Sequence, residues 1–133
     1  MRLIILLISV SALQLPLSIA APFPKQVGSC AETFIKEINY RLQALDENDV
    51  YIDLPDSGSA LIFSNGGYQD SYDKIPAIHR SKPGDKAKVC LTYKPNCSHT
   101  RSGDTRGRVY ETTNLRNNER WALLDSSHMC GGA

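Results

Sequence analysis

Four cysteines, Cys30, Cys90, Cys97 and Cys130, constrain this chain more than any other residues in it. They follow an N-terminal segment suited to export. Arg2 precedes an apolar run over residues 3–17, interrupted only by Ser9, Ser11, Gln14 and Pro16. Ser18-Ile19-Ala20 then places small residues where a signal peptidase reads. The run is too short and too poorly flanked to anchor a membrane, so residues 1–20 read as a signal peptide and the product as secreted and extracellular, with no membrane span. An even number of cysteines in such a small exported chain reads as two disulfides. Three pairings are open. We expect Cys30–Cys130 and Cys90–Cys97, the first tying the start of the domain to its end. Closing a loop of about a hundred residues stabilises by roughly 4–5 kcal/mol in the loop-entropy account. The thiols lack Cys-x-x-Cys spacing and an accompanying His-x-x-x-His, so no metal and no cofactor is expected.

The remainder has the size of one domain. Residues 21–28 hold two prolines and a lysine and read as a disordered leader. Residues 29–133 read as a single disulfide-stabilised domain. Ser29 and Glu32 have capping-box spacing, and apolar side chains recur at Ala31, Phe34, Ile35, Ile38, Leu42 and Leu45. That pattern predicts a helix over residues 30–45, ended by Asp46-Glu47-Asn48-Asp49. Strands and turns are expected after it. Ala60-Leu61-Ile62-Phe63 runs into the turn Ser64-Asn65-Gly66-Gly67, residues 67–83 read as a long loop, and Lys86–Tyr93 alternates cleanly. Asn117-Asn118 reads as the tip of a type I′ hairpin. The expected fold class is α+β: one N-terminal helix packed on an antiparallel sheet of about five strands, with two disulfides.

Lysine and arginine total 15 against 14 aspartates and glutamates, yet the charge is polarised. Residues 21–73 carry three basic and nine acidic side chains, and residues 74–133 carry eleven basic and five acidic. Lys82, Lys86, Lys88, Lys94, Arg101, Arg106 and Arg108 crowd one stretch, with Tyr93 and Tyr110 interleaved. Cations beside aromatic platforms suit single-stranded RNA, an anionic polysaccharide or an acidic protein patch. The plainer alternative is that the acidic half lies against the basic half and neutralises it. Asn96-Cys97-Ser98 is a formal glycosylation sequon at Asn96. His79, His99 and His128 stand apart in polar stretches and read as surface residues.

The layout resembles that of the small secreted guanyl-specific ribonucleases of microbes. In that family a helix near the N-terminus packs on an antiparallel sheet, an arginine-bearing strand comes late, and a histidine lies near the C-terminus. Here Thr105-Arg106-Gly107-Arg108-Val109-Tyr110 stands for the arginine strand and His128 for the histidine. Ala60-Leu61-Ile62-Phe63-Ser64-Asn65 resembles the strand and turn before the base-recognition loop. The family's general base is a glutamate on the strand that corresponds to Lys86–Tyr93, and this strand holds no carboxylate. Cleavage through a 2′-hydroxyl needs a base there. The resemblance therefore implies a ribonuclease-like scaffold with an incomplete catalytic set. The chain is also similar in type to small secreted effectors of plant-pathogenic fungi, in its short exported precursor, its Ala21-Pro22 start and its four cysteines. That similarity implies a monomeric virulence protein that binds a host macromolecule, a host protein foremost, outside the cell or after uptake, and does not catalyse. Inhibition of a host hydrolase is one such outcome. The alternative is a ribonuclease using Arg106, Arg108, Glu111 and His128.

Overall fold

Most of the segment expected to be the N-terminal helix forms the longest strand among the described residues. In the computed structural model, which describes residues 20–132, the chain forms β1 Cys30–Tyr40, β2 Gln43–Leu45, β3 Tyr51–Asp53, β4 Ser59–Phe63, β5 Tyr68–Ser71, α1 Pro76–Arg80, β6 Lys86–Tyr93, β7 Val109–Asn114 and β8 Arg120–Leu124. The proposed signal segment lies outside the described residues apart from Ala20. Six strands close an antiparallel barrel in the order β1-β4-β5-β8-β7-β6, and β2 and β3 form a separate two-stranded ribbon. The α+β expectation is corrected accordingly: the fold is a closed β-barrel, and the one α-helix among the described residues is the short α1.

A β-bulge accounts for the misreading. In β1, Ala31, Thr33 and Ile35 are buried while Glu32 and Lys36 are exposed, the two-residue period of a strand. Opposite β4, Ile35 pairs with Phe63 and Glu37 with Ile62, so Lys36 is an extra residue. The bulge resets the phase, and Ile38 packs against the core. Ala31, Ile35 and Ile38 thereby acquire helical spacing inside a strand, while Leu42 and Leu45, the rest of the apparent stripe, are exposed. The capping box is also diverted. The Ser29 hydroxyl donates to the Gln26 carbonyl at 2.6 Å, and Glu32 meets the Lys86 ammonium at 2.7 Å.

Ile35, Leu61, Phe63, Ile78, Ala87, Val89, Leu91, Tyr110 and Trp121 form the core. Its two ends are closed differently. Residues 21–28, expected to be a disordered leader, pack instead at the Tyr110 end. Phe23 lies 4.4 Å from the Tyr110 ring centroid and 5.8 Å from that of Phe63, and Pro24 accepts the Tyr110 hydroxyl at 3.0 Å. At the other end α1 sets Ile78 into the core. Its entry is fixed by the Ile75 amide donating to the Ser59 hydroxyl at 2.8 Å.

The weakest closure is between β5 and β8, where Asp70↔Leu124 is the one register pair. Gln69 spans this seam from inside. Its Nε2 donates to the Tyr110 carbonyl at 2.8 Å, and its Oε1 accepts the Thr112 hydroxyl at 2.8 Å and the Trp121 indole N–H at 3.0 Å. β7 and β8 form the expected hairpin, but its tip is not type I′. Asn118 alone has positive φ, at 61°, and its amide bonds the Asn114 carbonyl at 2.8 Å.

The disulfides are Cys30–Cys90 and Cys97–Cys130, which overturns the expected pairing. Register decides the first: Cys30 on β1 lies directly opposite Cys90 on β6. The second ties the loop after β6 to the C-terminal tail.

Candidate partner-binding surface

The β2–β3 ribbon begins where β1 leaves the barrel. Arg41 anchors its base, donating from Nε to the Ser57 carbonyl at 2.8 Å and placing its guanidinium 4.2 Å from the Tyr72 ring centroid. Gln43↔Asp53, Ala44↔Ile52 and Leu45↔Tyr51 are its register pairs. The tip is built by Asp46, whose Oδ1 accepts the amides of Asn48 and Val50 at 2.8 and 2.9 Å, while Asp49 takes a φ of 59°. The bond from Val50, then that from Asn48, holds the Asp46 carboxyl below its ordinary range. The acidic cluster read as a helix end is thus a turn whose side chain replaces a backbone acceptor.

This ribbon leaves its apolar side chains in water. Tyr51 is 70% exposed, Val50 55% and Leu45 53%, and Leu42, Ile52 and Leu54 are also exposed. None belongs to the core. Asp46, Glu47, Asp49, Asp53 and Asp56 are interspersed with them along the chain, and Arg41 at the base is the one cation between residues 41 and 56. The register puts Leu45 and Tyr51 on one face of the ribbon and Ile52 on the other, and several exposed large apolar side chains gathered on one element are characteristic of an interaction site.

The residues singled out from the sequence fall into several places. Lys82, Lys86, Lys88, Lys94 and Arg101 are exposed, as is Tyr93, and Lys86 is paired with Glu32. Tyr110 is only 2% exposed and points into the barrel, so it is a core residue and offers no stacking platform. Burial pushes its hydroxyl pKa up. Arg106 grips Asp104 with two bonds of 2.9 and 3.0 Å and reaches the Gly132 carbonyl at 3.1 Å, holding loop and tail together. Arg106 in turn depresses the Asp104 carboxyl. Arg108 is half-buried, its amide bonded to Asp125 at 3.1 Å. Glu111 pairs with Arg120 on the barrel exterior, and His128 stands edge-on to Tyr72 with ring centroids 6.3 Å apart. The four residues of the ribonuclease alternative thus have different partners. Asn96 is exposed, with its Oδ1 accepting the Ser98 amide at 3.0 Å.

Among the described residues no ion pair joins Asp46, Asp49, Asp53 or Asp56 to the cations of residues 82–108. The carboxylates that do meet cations are elsewhere. Asp85 accepts Arg116 at 2.7 Å, the Asn114 amide at 2.8 Å and the Lys82 backbone N–H at 2.8 Å. Arg116 foremost holds the Asp85 carboxyl at about 2. His79, bonded to the Ser59 hydroxyl at 3.0 Å and stacked on Tyr40, is depressed by burial and then by Lys74.

Among the described residues the surface has concavities in at least two places. One, of about 840 Å³, lies between the loop holding His99 and Arg101 and the tail at Cys130–Gly132. Another, of about 270 Å³, lies on the outside of the β5–β8 seam above Asp70. Sequence reasoning missed both the ribbon and the seam. The signal for the ribbon was turn chemistry at Asp46-Glu47-Asn48-Asp49 between short apolar runs. Gln69 and Asp70 were hidden in a stretch read as loop. No helix among the described residues is long and apolar enough to cross a membrane. Comparison with known protein families, with curated proteins and with solved structures finds no match to this chain.

Proposed function

We propose that this is a secreted, effector-type binding protein that docks on a host protein through the β2–β3 ribbon and modulates it without catalysis. The observation that carries the reading is the set of six large apolar side chains, Leu42, Leu45, Val50, Tyr51, Ile52 and Leu54, left exposed on one ribbon. A soluble chain gains nothing from that exposure unless a partner covers it, and aromatic and branched side chains are effective anchors once desolvated. Charge selects the partner. Five carboxylates in the same segment as the apolar side chains disfavour RNA and anionic polysaccharide at this ribbon and favour a protein with basic side chains around an apolar pocket. Two disulfides suit an oxidising, extracellular setting.

The test uses the mature, oxidised protein immobilised and exposed to host extracellular fluid, beside a Tyr51→Ser/Ile52→Ser variant. The parent is expected to retain one stoichiometric protein that the variant loses, at unchanged melting temperature. Single-stranded RNA is expected to stay intact in a parallel gel assay. Equal retention by the variant would remove the ribbon from the reading. RNA turnover abolished by His128→Ala would replace it with the ribonuclease alternative.

A further inference from the structure

The barrel's weakest seam carries a second site, independent of the ribbon. β5 and β8 meet at Asp70↔Leu124 and form no further register pair, and the 270 Å³ groove lies on the outside between them. Its walls include Ala122, Leu123, Leu124 and the Tyr72 side chain, and Ser127 stands at its rim. Asp70 also lines it and is only 4% exposed. One carboxylate oxygen, Oδ2, accepts the Ser127 hydroxyl. The other, Oδ1, is buried and has no hydrogen-bond partner among the described residues.

A buried carboxylate oxygen without a donor is costly, and the cost is relieved most by a cationic N–H. The nearby Arg41 does not supply it, being committed to the Ser57 carbonyl and the Tyr72 ring. Tyr68 stands on the same strand face, its hydroxyl pushed up to about 12 by burial first and then by the charge of Asp70 and a hydrogen bond toward that carboxylate. That bond still leaves Oδ1 without a partner in full hydrogen-bond geometry. At about 270 Å³ the groove lies at the small end of ligand sites, which span about 300–1,000 Å³. Its volume and apolar walls match one long aliphatic stem, with the charge held at the closed end.

We propose that this groove takes a lysine or arginine side chain of a partner peptide, its methylenes against Leu123 and Leu124 and its cation on Asp70 Oδ1. The chemistry is that of an alkylammonium or alkylguanidinium group, since the carboxylate repels an anion and holds a neutral donor less tightly than a cation.

The experiment is an NMR titration of isotope-labelled mature, oxidised protein with N-acetyl-arginine methylamide and N-acetyl-lysine methylamide. N-acetyl-norleucine methylamide is the uncharged control and putrescine the free-cation control. A single residue is expected to bind with a Kd on the order of millimolar. Saturable shifts should be confined to Tyr72, Leu123, Ser127 and their neighbours. Asp70→Asn should weaken binding about tenfold or more. Because that variant also touches the Ser127 contact, Ala122→Leu is the second test: it fills the groove, leaves Asp70 intact and should abolish the shifts. Absence of saturable shifts with both cationic probes would overturn the proposal. So would equal binding by norleucine, unchanged affinity in Asp70→Asn, or binding by putrescine alone.

Discussion

Gln69 shows how much a single buried polar side chain carries in this barrel. It is fully buried, and its amide satisfies a carbonyl on β7, a hydroxyl on β7 and an indole on β8. Gln69→Leu keeps the volume roughly constant and strands three partners, each costing about 1 kcal/mol or more when buried without a bond. A loss of about 3 kcal/mol in denaturant unfolding is expected, and a loss under 1 kcal/mol would mean that water or repacking replaces the amide. Asp85 makes the complementary case for charge. Its folded pKa, about 2, lies below the ordinary aspartate value of 3.8, so its contribution is present above pH 3.8 and is lost as pH falls toward 2. Asp85→Asn should flatten that part of the stability–pH curve. An unchanged acid limb would show that the Arg116 contact carries no net stabilisation. Neither residue announces its role in the sequence. Gln69 sits among polar residues that read as loop, and what makes it structural is the set of three groups the barrel gathers around it.

At the scale of elements, legibility followed the regularity of the strands. β6 was readable because Ala87, Val89 and Leu91 face inward without interruption while Lys86 and Lys88 face out. The turn at Ser64-Asn65-Gly66-Gly67 was readable because Gly66 takes a φ of 86°. β1 was not, because the bulge at Lys36 shifts one period-two pattern against another and their sum imitates a helix. The leader was not, because a short segment with two prolines and a lysine does not disclose that Phe23 finds a slot. Gly67 is part of that slot: a Cβ there would stand 2.1 Å from a Phe23 ring carbon. Gly67→Ala is expected to displace Phe23 and cost about 1–3 kcal/mol, the usual range for overpacking. In a Phe23→Ala background the same change should cost far less, because the clashing ring is gone. A double-mutant cycle by thermal or denaturant unfolding measures the coupling, and additive costs would show that the leader does not dock there. The candidate ribbon followed the same logic: its turn was visible as composition, but Leu42 and Leu45 were assigned to the far end of a helix.

For the whole molecule, the relevant asymmetry is between opposite sides of the barrel. The β6–β1 junction has five register pairs and is covalently closed by Cys30–Cys90. Diametrically across, the β5–β8 junction has one pair and the Gln69 side chain. A closed barrel has no free edge, so partial opening must begin where the fewest bonds are broken. Amides of β5 and β8 are therefore expected to exchange with solvent well before those of β1 and β6. Gln69→Leu should widen that difference. Removing the cross-strand disulfide with Cys30→Ser/Cys90→Ser should lower global stability by roughly 4 kcal/mol in the loop-entropy account without changing the order of opening. Hydrogen exchange followed residue by residue distinguishes this from uniform opening. If β1 and β6 lose protection first in the disulfide variant, the staple and not the ladder decides where the barrel parts. If all six strands exchange together in the parent, the single register pair at the β5–β8 junction is no weak point. The seam groove lies on this same junction, so a cation seated on Asp70 should slow exchange in β5 and β8 selectively, joining the barrel's mechanical weak side to its second binding site.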